Sequence, residues 1–238
     1  VLYITCEMAE EKIAERIDAN LLDTNIQTLS DPLFSRQKYQ NKIDILNQKT
    51  QGKLIIKEYP TASANANHFK SLLNELSLKK GFKPHIIFVD YLNICASSRY
   101  KGNIVNSYTY VKSIAEELRG LAGEFNVPIV SATQTTRSGY GNSDVELTDT
   151  SESFGLPATA DIMFALISTE EMENLNQIMV KQLKNRYNDP TMNKRFVLGI
   201  DRAKMRLYDC DQAQQNIVDS GQEVVDMPIK KSFAELKV

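Results

Sequence analysis

The segment HIIFVDYL at positions 85–92 decides the fold, because it places a run of apolar residues directly ahead of a single aspartate. Short apolar runs of this kind are typical of strands that are buried on both faces of a sheet. Four other segments have the same character: VLYIT (1–5), KLIIKEY (53–59), PIVSAT (128–133) and DIMFALI (161–167). We therefore expect these five segments to be the strands of the central sheet.

Apolar residues between the strands recur at helical spacing and form two continuous helix faces. The faces consist of Phe69, Leu72, Leu73 and Leu76, and of Val111, Ala115, Leu118, Ala122 and Phe125. The alternation of strands and helices predicts an α/β fold, a mostly parallel sheet with helices on both faces. Ligands bind such sheets at the carboxyl ends of the strands, so polar residues that follow the strands are the functional candidates.

The pattern changes after residue 175. Three strand-like runs, QIMVKQLKNR (177–186), KRFVLGIDR (194–202) and RLYD (206–209), are separated by turn-forming residues and predict a C-terminal antiparallel β extension. Beyond this point the sequence becomes acidic and rich in Gln, which is typical of a mobile tail. We therefore expect one domain at 1–209 and an acidic, mobile tail at 210–238.

The composition is that of a soluble globular protein, with 42% hydrophobic and 24% charged residues. The net charge of −2 means that any contact with nucleic acid must come from local basic clusters. No apolar run approaches the roughly 20 residues that cross a bilayer, so no membrane contact is expected and the expected location is the cytoplasm. The three cysteines, Cys6, Cys95 and Cys210, are widely spaced and predict neither a disulfide framework nor a zinc site.

Asp90 ends the apolar run IIFVD, which has the form of a Walker B strand. In nucleotide hydrolases an aspartate at this place holds Mg²⁺, usually through water, and the metal neutralises phosphate oxygens. An acid that caps a loop or a helix explains the same residue about as well.

Glu7 and Gln134 follow two other strands in the same way. A carboxylate at the position of Glu7 can polarise an attacking water, although an acid in the first turn of a helix over 8–22 is a simpler interpretation. The amide of Gln134 can contact both a γ-phosphate and a neighbouring loop. Each of these residues is weak evidence when it is taken alone.

Lys184 and Arg186 are two residues apart in a strand-like run, so both side chains are expected on one face. Two cations there can reach a phosphate site on a neighbouring subunit, as an arginine finger does. A solvated basic strand face is the commoner explanation of such a pair. The segment 181–206 nevertheless holds eight Lys and Arg against two Asp, which suits an anion-binding edge.

The segment from Thr135 to Ser153 combines Gly, Ser and Thr with Arg137 and lacks apolar periodicity. It is predicted to be a long loop, which either grips a phosphate backbone or is an ordinary surface loop. No G-x-x-x-x-G-K-[ST] phosphate-binding loop is present, and the Gly52-Lys53 pair leads into a strand. We expect the chain to begin after the P-loop strand and helix of a larger domain and to be inert as an ATPase by itself.

Five segments, taken in order, resemble the DnaB-type replicative DNA helicases, and the T-even phage members in particular. They are ITCEMAEEKIAERIDA (4–19), IIFVDYLNIC (86–95), VPIVSATQTTR (127–137), LTDTSESFGLPATADIMFALI (147–167) and KQLKNR (181–186). The resemblance implies a RecA-like ATPase fold that uses ATP and Mg²⁺. It also implies a homo-hexameric ring that moves 5′ to 3′ along single-stranded DNA, with primase and a helicase loader as partners, in the cytoplasm of a phage-infected bacterium.

The resemblance further implies a role for each candidate residue. Glu7 would be the catalytic glutamate, Asp90 the Walker B residue and Gln134 the γ-phosphate sensor. Lys184 and Arg186 would be the finger pair that acts on the neighbouring subunit. The DNA-binding residues would be Arg137, Ser151, Glu152 and Phe154.

Two other functions fit parts of the same sequence. A RecA/RadA-like recombinase shares the strand-end carboxylates and the Gln, but the EMAEEKIAERIDA and KNR segments favour the helicase. A non-hydrolysing module that binds single-stranded DNA or assists ring assembly would also lack the phosphate-binding loop.

Overall fold

The computed structural model describes residues 1–31, 33–100, 106–135, 155–189 and 192–211. The strands are β1 (Leu2–Thr5), β2 (Ile55–Glu58), β3 (Ile87–Asp90), β4 (Ile129–Ser131), β5 (Ile162–Ile167), β6 (Gln177–Asn185), β7 (Arg195–Asp201) and β8 (Arg206–Asp209). The helices are α1 (Glu10–Leu21), α2 (Ile26–Leu29), α3 (Arg36–Lys49), α4 (Ala66–Lys80), α5 (Ser107–Phe125), α6 (Gly155–Thr159) and α7 (Glu170–Asn174). A 3-10 turn, Leu92–Ile94, follows β3.

The first four strands form a parallel sheet in the order β2, β1, β3, β4. A parallel strand reaches its neighbour only through a crossover connection. Helices α1 to α3, then α4, then α5 lie in the three crossovers between successive strands. The predicted alternation of strands and helices is confirmed for this part of the chain.

One face of the parallel sheet packs on α4 and α5. Leu2, Ile4 and Ile87 on this face are fully buried, with 0% of their surface exposed. They cluster with the predicted helix faces, of which the buried members are Phe69, Leu72, Leu73, Leu76, Val111, Ala115 and Leu118. Burial of each large apolar side chain contributes about 1.5–3 kcal/mol, so this core is the main source of stability for the sheet.

The last four strands form a second, antiparallel sheet in the order β5, β6, β7, β8. It confirms the predicted antiparallel extension, but the assignment of DIMFALI (161–167) to the parallel sheet is wrong, because β5 pairs antiparallel with β6. Ile162, Phe164 and Leu166 are 46%, 51% and 65% exposed, so β5 is buried on one face only. An apolar run does not reveal one-sided burial when the exposed positions are apolar as well.

Helices α2 and α3 were not predicted, because their sequence has no continuous apolar face. No residue of α3 is fully buried. Polar contacts hold it instead: Tyr39 donates to Asp18 of α1 at 2.6 Å, and Lys42 donates to the Leu22 carbonyl oxygen at 3.0 Å. None of the described helices is long and apolar enough to cross a membrane.

The antiparallel sheet is fastened to the helices of the first part at both of its ends. At the β7–β8 turn, Arg206 donates to the Asn20 carbonyl oxygen at the end of α1, at 3.0 Å. At the opposite end, Arg119 of α5 donates to Asp161, directly before β5, at 2.9 Å. These contacts position Lys184 and Arg186 relative to the parallel sheet.

Candidate functional site

Glu7 and Asp90 lie at the same edge of the parallel sheet. Thr5 and Asp90, the last residues of β1 and β3, are paired. The next amide, Cys6 N–H, donates to the Asp90 carbonyl oxygen at 2.8 Å. The chain therefore leaves the sheet at Glu7, one residue beyond this bond. The structure thus brings two acids of the predicted site to the carboxyl edge, where ligands bind in such sheets.

Glu7 is exposed in a short turn between β1 and α1. The buried hydroxyl of Thr5 closes this turn, because it donates to the Met8 carbonyl oxygen at 2.8 Å and accepts from Met8 N–H at 3.0 Å. Helix α1 begins only at Glu10, and its first turn contains Glu10 and Glu11. Glu7 lies ahead of the helix, so the interpretation as a first-turn acid does not fit.

Asp90 is half-buried and has one side-chain partner. The hydroxyl of Tyr3 donates to its Oδ2 at 2.9 Å. Burial and this hydrogen bond raise the pKa of Tyr3 above its ordinary value. Within the described ranges no cation pairs with Asp90, and its Oδ1 has no hydrogen-bond partner. A lone carboxylate with one open oxygen fits a hydrated Mg²⁺, which takes few protein ligands and keeps several waters.

Gln134 lies beyond β4, close to the end of β3. Its Nε2 donates to the hydroxyl of Tyr91, the residue after Asp90, at 3.1 Å. Thr133 Oγ1 beside it is buried and has no hydrogen-bond partner among the described residues. Buried polar atoms are normally satisfied, so this hydroxyl fits a place where a bound ligand or water completes the hydrogen bonding.

Lys184 is the second-last residue of β6, and Arg186 directly follows this strand. Their side chains point the same way, as their spacing predicts. Both contact the end of α6: Lys184 donates to the Pro157 carbonyl oxygen at 2.5 Å, and Arg186 donates to the Ala158 carbonyl oxygen at 2.7 Å. The carbonyl end of a helix attracts cations. Arg186 also donates to Asp161 Oδ1 at 2.9 Å. The pair is therefore oriented within its own chain and is not a freely solvated basic face.

The groups packed around Lys184 and Asp161 shift the pKa values of both side chains. Burial and the neighbouring Arg186 hold the pKa of Lys184 below its ordinary value, and Asp161 offsets part of this effect. For Asp161, burial acts to raise the pKa, but hydrogen bonds from Arg119 and Arg186 outweigh it and hold the pKa low. A single ionised carboxylate therefore stabilises two arginines.

Four residues of this arrangement were not predicted: Tyr3, Tyr91, Arg119 and Asp161. Each contacts a residue that lies far along the chain or on a neighbouring element, and no local sequence pattern reveals such a contact.

Some predictions fall outside the residues that the structure describes. They concern the tail from residue 212 onward and four predicted DNA-binding residues, Arg137, Ser151, Glu152 and Phe154. In the described part of the chain, no group of three or more His, Cys, Asp or Glu side chains could hold a metal ion.

Comparison with known proteins identifies the family. The family model for the DnaB-like helicase C terminal domain matches residues 1–197. This chain belongs to the DnaB-like helicase family. The DnaB-like replicative helicase of Enterobacteria phage T4 is 47% identical over 213 residues, which are 89% of this chain and 45% of that relative. The probable plasmid replicative DNA helicase of Chlamydia psittaci is 29% identical over 192 residues, 78% of this chain and 40% of the relative.

Solved structures confirm the RecA-like fold expected of a DnaB-like helicase. One solved ATPase domain superimposes with a TM-score of 0.71 at 19% identity, over 89% of this chain and 75% of that domain. A DnaB-like replicative helicase, solved in a study of its interactions with primase, gives a TM-score of 0.71 at 18% identity, over 88% of this chain and 50% of the other. The chain spans less than half the length of the two curated relatives from the phage and Chlamydia psittaci.

Proposed function

We propose that this chain is the motor part of an ATP-dependent replicative DNA helicase that translocates 5′ to 3′ on single-stranded DNA and unwinds the duplex at the replication fork. One observation carries the proposal: Glu7 and Asp90 lie at the same carboxyl edge of the parallel sheet, and Gln134 lies beside them. The chain that has this arrangement belongs to the DnaB-like family.

Asp90 would hold a hydrated Mg²⁺ in this proposal, with Oδ1 as the open oxygen. The ion would supply positive charge that offsets the negative charge of the nucleotide phosphates. Glu7, exposed at the same edge, polarises the attacking water and accepts its proton. Gln134 contacts the γ-phosphate through its amide and is tied to Asp90 by way of Tyr91.

Lys184 and Arg186 act on the nucleotide of the next subunit. A head-to-tail interface that closes into a hexameric ring places the same face of each subunit against its neighbour's site. Lys184 contacts α6, and Arg186 contacts both α6 and Asp161, so the direction of both side chains is fixed before assembly. Preorganised cations of this kind stabilise the charge that develops during phosphoryl transfer.

Single-stranded DNA passes through the centre of the ring and contacts Arg137, Ser151, Glu152 and Phe154. A ring concentrates a few cations per subunit around one strand, so a net charge of −2 is compatible with DNA binding that weakens as salt rises. Primase and a helicase loader are the proposed protein partners. The cytoplasm of a phage-infected bacterium is the proposed location.

The motor domain in this proposal extends over 1–209, and 210–238 is an acidic tail. The phosphate-binding loop, which the sequence lacks, is supplied by a strand and helix that come before residue 1 in the working helicase. An extended chain tests this directly: the part of the phage T4 relative that precedes its matched region is joined to Val1.

ATP hydrolysis is measured for the extended chain and for the 238-residue chain, with and without single-stranded DNA. We expect turnover in the extended chain alone, stimulated by DNA. In the extended chain, Glu7→Gln should lower turnover by about 100-fold or more, the usual contribution of a general base, and leave nucleotide affinity unchanged. Glu11→Gln, an exposed acid of the first helical turn, is the matched control.

Two outcomes contradict the proposal. Near-normal turnover in the Glu7→Gln variant would remove the catalytic role of this carboxylate. No hydrolysis by either chain, with retained binding of single-stranded DNA, would favour a non-hydrolysing DNA-binding module.

A further inference from the structure

Tyr3 and Asp90 form a contact between two strands that the proposed mechanism does not use. Tyr3 pairs with Phe88 across the parallel β1–β3 ladder. The two rings stack, with centroids 6.1 Å apart and planes inclined by 22°. From this fixed position the Tyr3 hydroxyl reaches two residues further along β3, to Oδ2 of Asp90, at 2.9 Å.

We propose that Tyr3 is the positioning residue for the magnesium carboxylate: its hydroxyl fixes the rotation of the Asp90 carboxyl group and leaves Oδ1 turned to the metal's water. The inference rests on the proposed function of Asp90. Without a donor on Oδ2, a carboxylate at the end of a strand rotates about its last bond and presents either oxygen. Loss of a group that orients a metal-binding side chain typically lowers metal affinity or activity by about 10- to 100-fold.

The Tyr3 hydroxyl and the Tyr3 ring make separate contacts. The hydroxyl donates to Asp90 Oδ2 at 2.9 Å. The ring stacks on Phe88 independently of the hydroxyl. Tyr3→Phe therefore removes the donor and preserves the ring, which separates a positioning role from a packing role.

The chain offers a matched control. Tyr39 of α3 donates to Asp18 of α1 at 2.6 Å, which is the same pair of chemical groups in a partly buried setting. Burial and this bond raise the pKa of Tyr39 to about 12. Asp18 lies well inside a helix that leads away from the sheet edge, so Tyr39→Phe removes an equivalent hydrogen bond at a distance from Asp90.

The experiment measures metal binding and the metal requirement of turnover in the extended chain. Mn²⁺ is titrated in the presence of ADP and followed by electron paramagnetic resonance, and the half-saturating Mg²⁺ concentration is determined for ATP hydrolysis. We expect Tyr3→Phe to weaken Mn²⁺ binding and raise the Mg²⁺ requirement by about 10-fold, the lower end for residues that orient metal ligands. Tyr39→Phe should leave both quantities within about twofold of the unaltered protein, because it acts away from the metal.

Metal affinity that is unchanged or tighter in Tyr3→Phe would overturn the positioning role, as would an equal loss in Tyr3→Phe and Tyr39→Phe. Thermal unfolding of both variants shows whether they remain folded. If the unaltered extended chain neither binds Mn²⁺ with ADP nor hydrolyses ATP, the proposed function itself fails, and the role of Tyr3 fails with it.

Discussion

Asp161 accepts hydrogen bonds from two arginines on one carboxylate oxygen. Arg119 of α5 and Arg186, the residue after β6, each donate to Oδ1 at 2.9 Å. Arg119 also donates to the Thr159 carbonyl oxygen at the end of α6, at 2.6 Å. These hydrogen bonds around Asp161 therefore join α5, the end of α6 and the residue that follows β6. The direction in which Arg186 points therefore depends on a residue that does not itself face the nucleotide in the proposed mechanism.

Replacing Asp161 with Asn should lower the free energy of unfolding by about 1 kcal/mol at pH 7, since partly exposed ion pairs contribute roughly 0.2–1 kcal/mol each. The folded-state pKa of Asp161 is lowered, so its stabilisation is complete above the unfolded value of about 3.9 and is lost as pH falls through the folded value. Urea unfolding should separate the two proteins at pH 7, and the difference should shrink as the pH falls below about 3.9. A difference that does not change with pH would show that Asp161 acts through packing.

Replacing Arg186 with Ala in the extended chain should abolish DNA-stimulated ATP hydrolysis, with a loss of about 1,000-fold or more if it acts as an arginine finger. Arg206→Ala is the matched control, because Arg206 anchors the opposite end of the same sheet to Asp23 at 3.1 Å and to the Asn20 carbonyl oxygen. The measurement is steady-state turnover with saturating single-stranded DNA. Equal losses in the two variants would indicate that Arg186 serves the sheet and not the reaction.

At the scale of elements, the β7–β8 pairing depends on a glycine. Gly199 pairs with Tyr208 across the antiparallel ladder. A Cβ added at Gly199 would overlap the aromatic ring of Tyr208. A glycine within a strand commonly marks such a close approach. Here the half-exposed ring of Tyr208 packs directly against the backbone of Gly199.

Gly199→Ala should therefore lower the free energy of unfolding by about 1 kcal/mol, the lower end for overpacking, because the Tyr208 ring can swing toward solvent. Adding Tyr208→Ala should cancel most of the penalty, since the overlap disappears with the ring. Thermal unfolding of the two single variants and the double variant gives the coupling between them. Additive effects would mean that the ring is not the cause.

At the scale of the whole molecule, the sequence predicts the parallel sheet well because strand burial and helix faces are local patterns. Phe69 and its helical neighbours are apolar at the spacing that the core requires, and Asp90 ends its strand visibly. The side-chain hydrogen bonds of the site do not follow from local patterns. Tyr3 and Asp90 are 87 positions apart in the sequence, and Arg119 and Asp161 are 42 apart. These bonds form only once the strands have paired and α5 has packed.

The sequence also misleads at β5, for a reason that belongs to the whole molecule. The apolar run in DIMFALI predicts burial on both faces, yet alternate side chains are exposed. Strand direction is equally invisible in such a run, because an apolar residue suits either a parallel or an antiparallel partner. The observed partner of β5 is β6, to which it is joined by the connection that contains α7.

The exposed row on β5 governs how the chain behaves in concentrated solution. Ile162, Phe164 and Leu166 form an apolar stripe on an edge strand whose other side is unpaired among the described residues. Molecules that meet along such stripes attract one another. Light scattering should therefore give a negative second virial coefficient for the 238-residue chain at moderate salt, and Phe164→Lys should shift it toward positive values. A positive coefficient for the unaltered chain would show that the stripe is not adhesive.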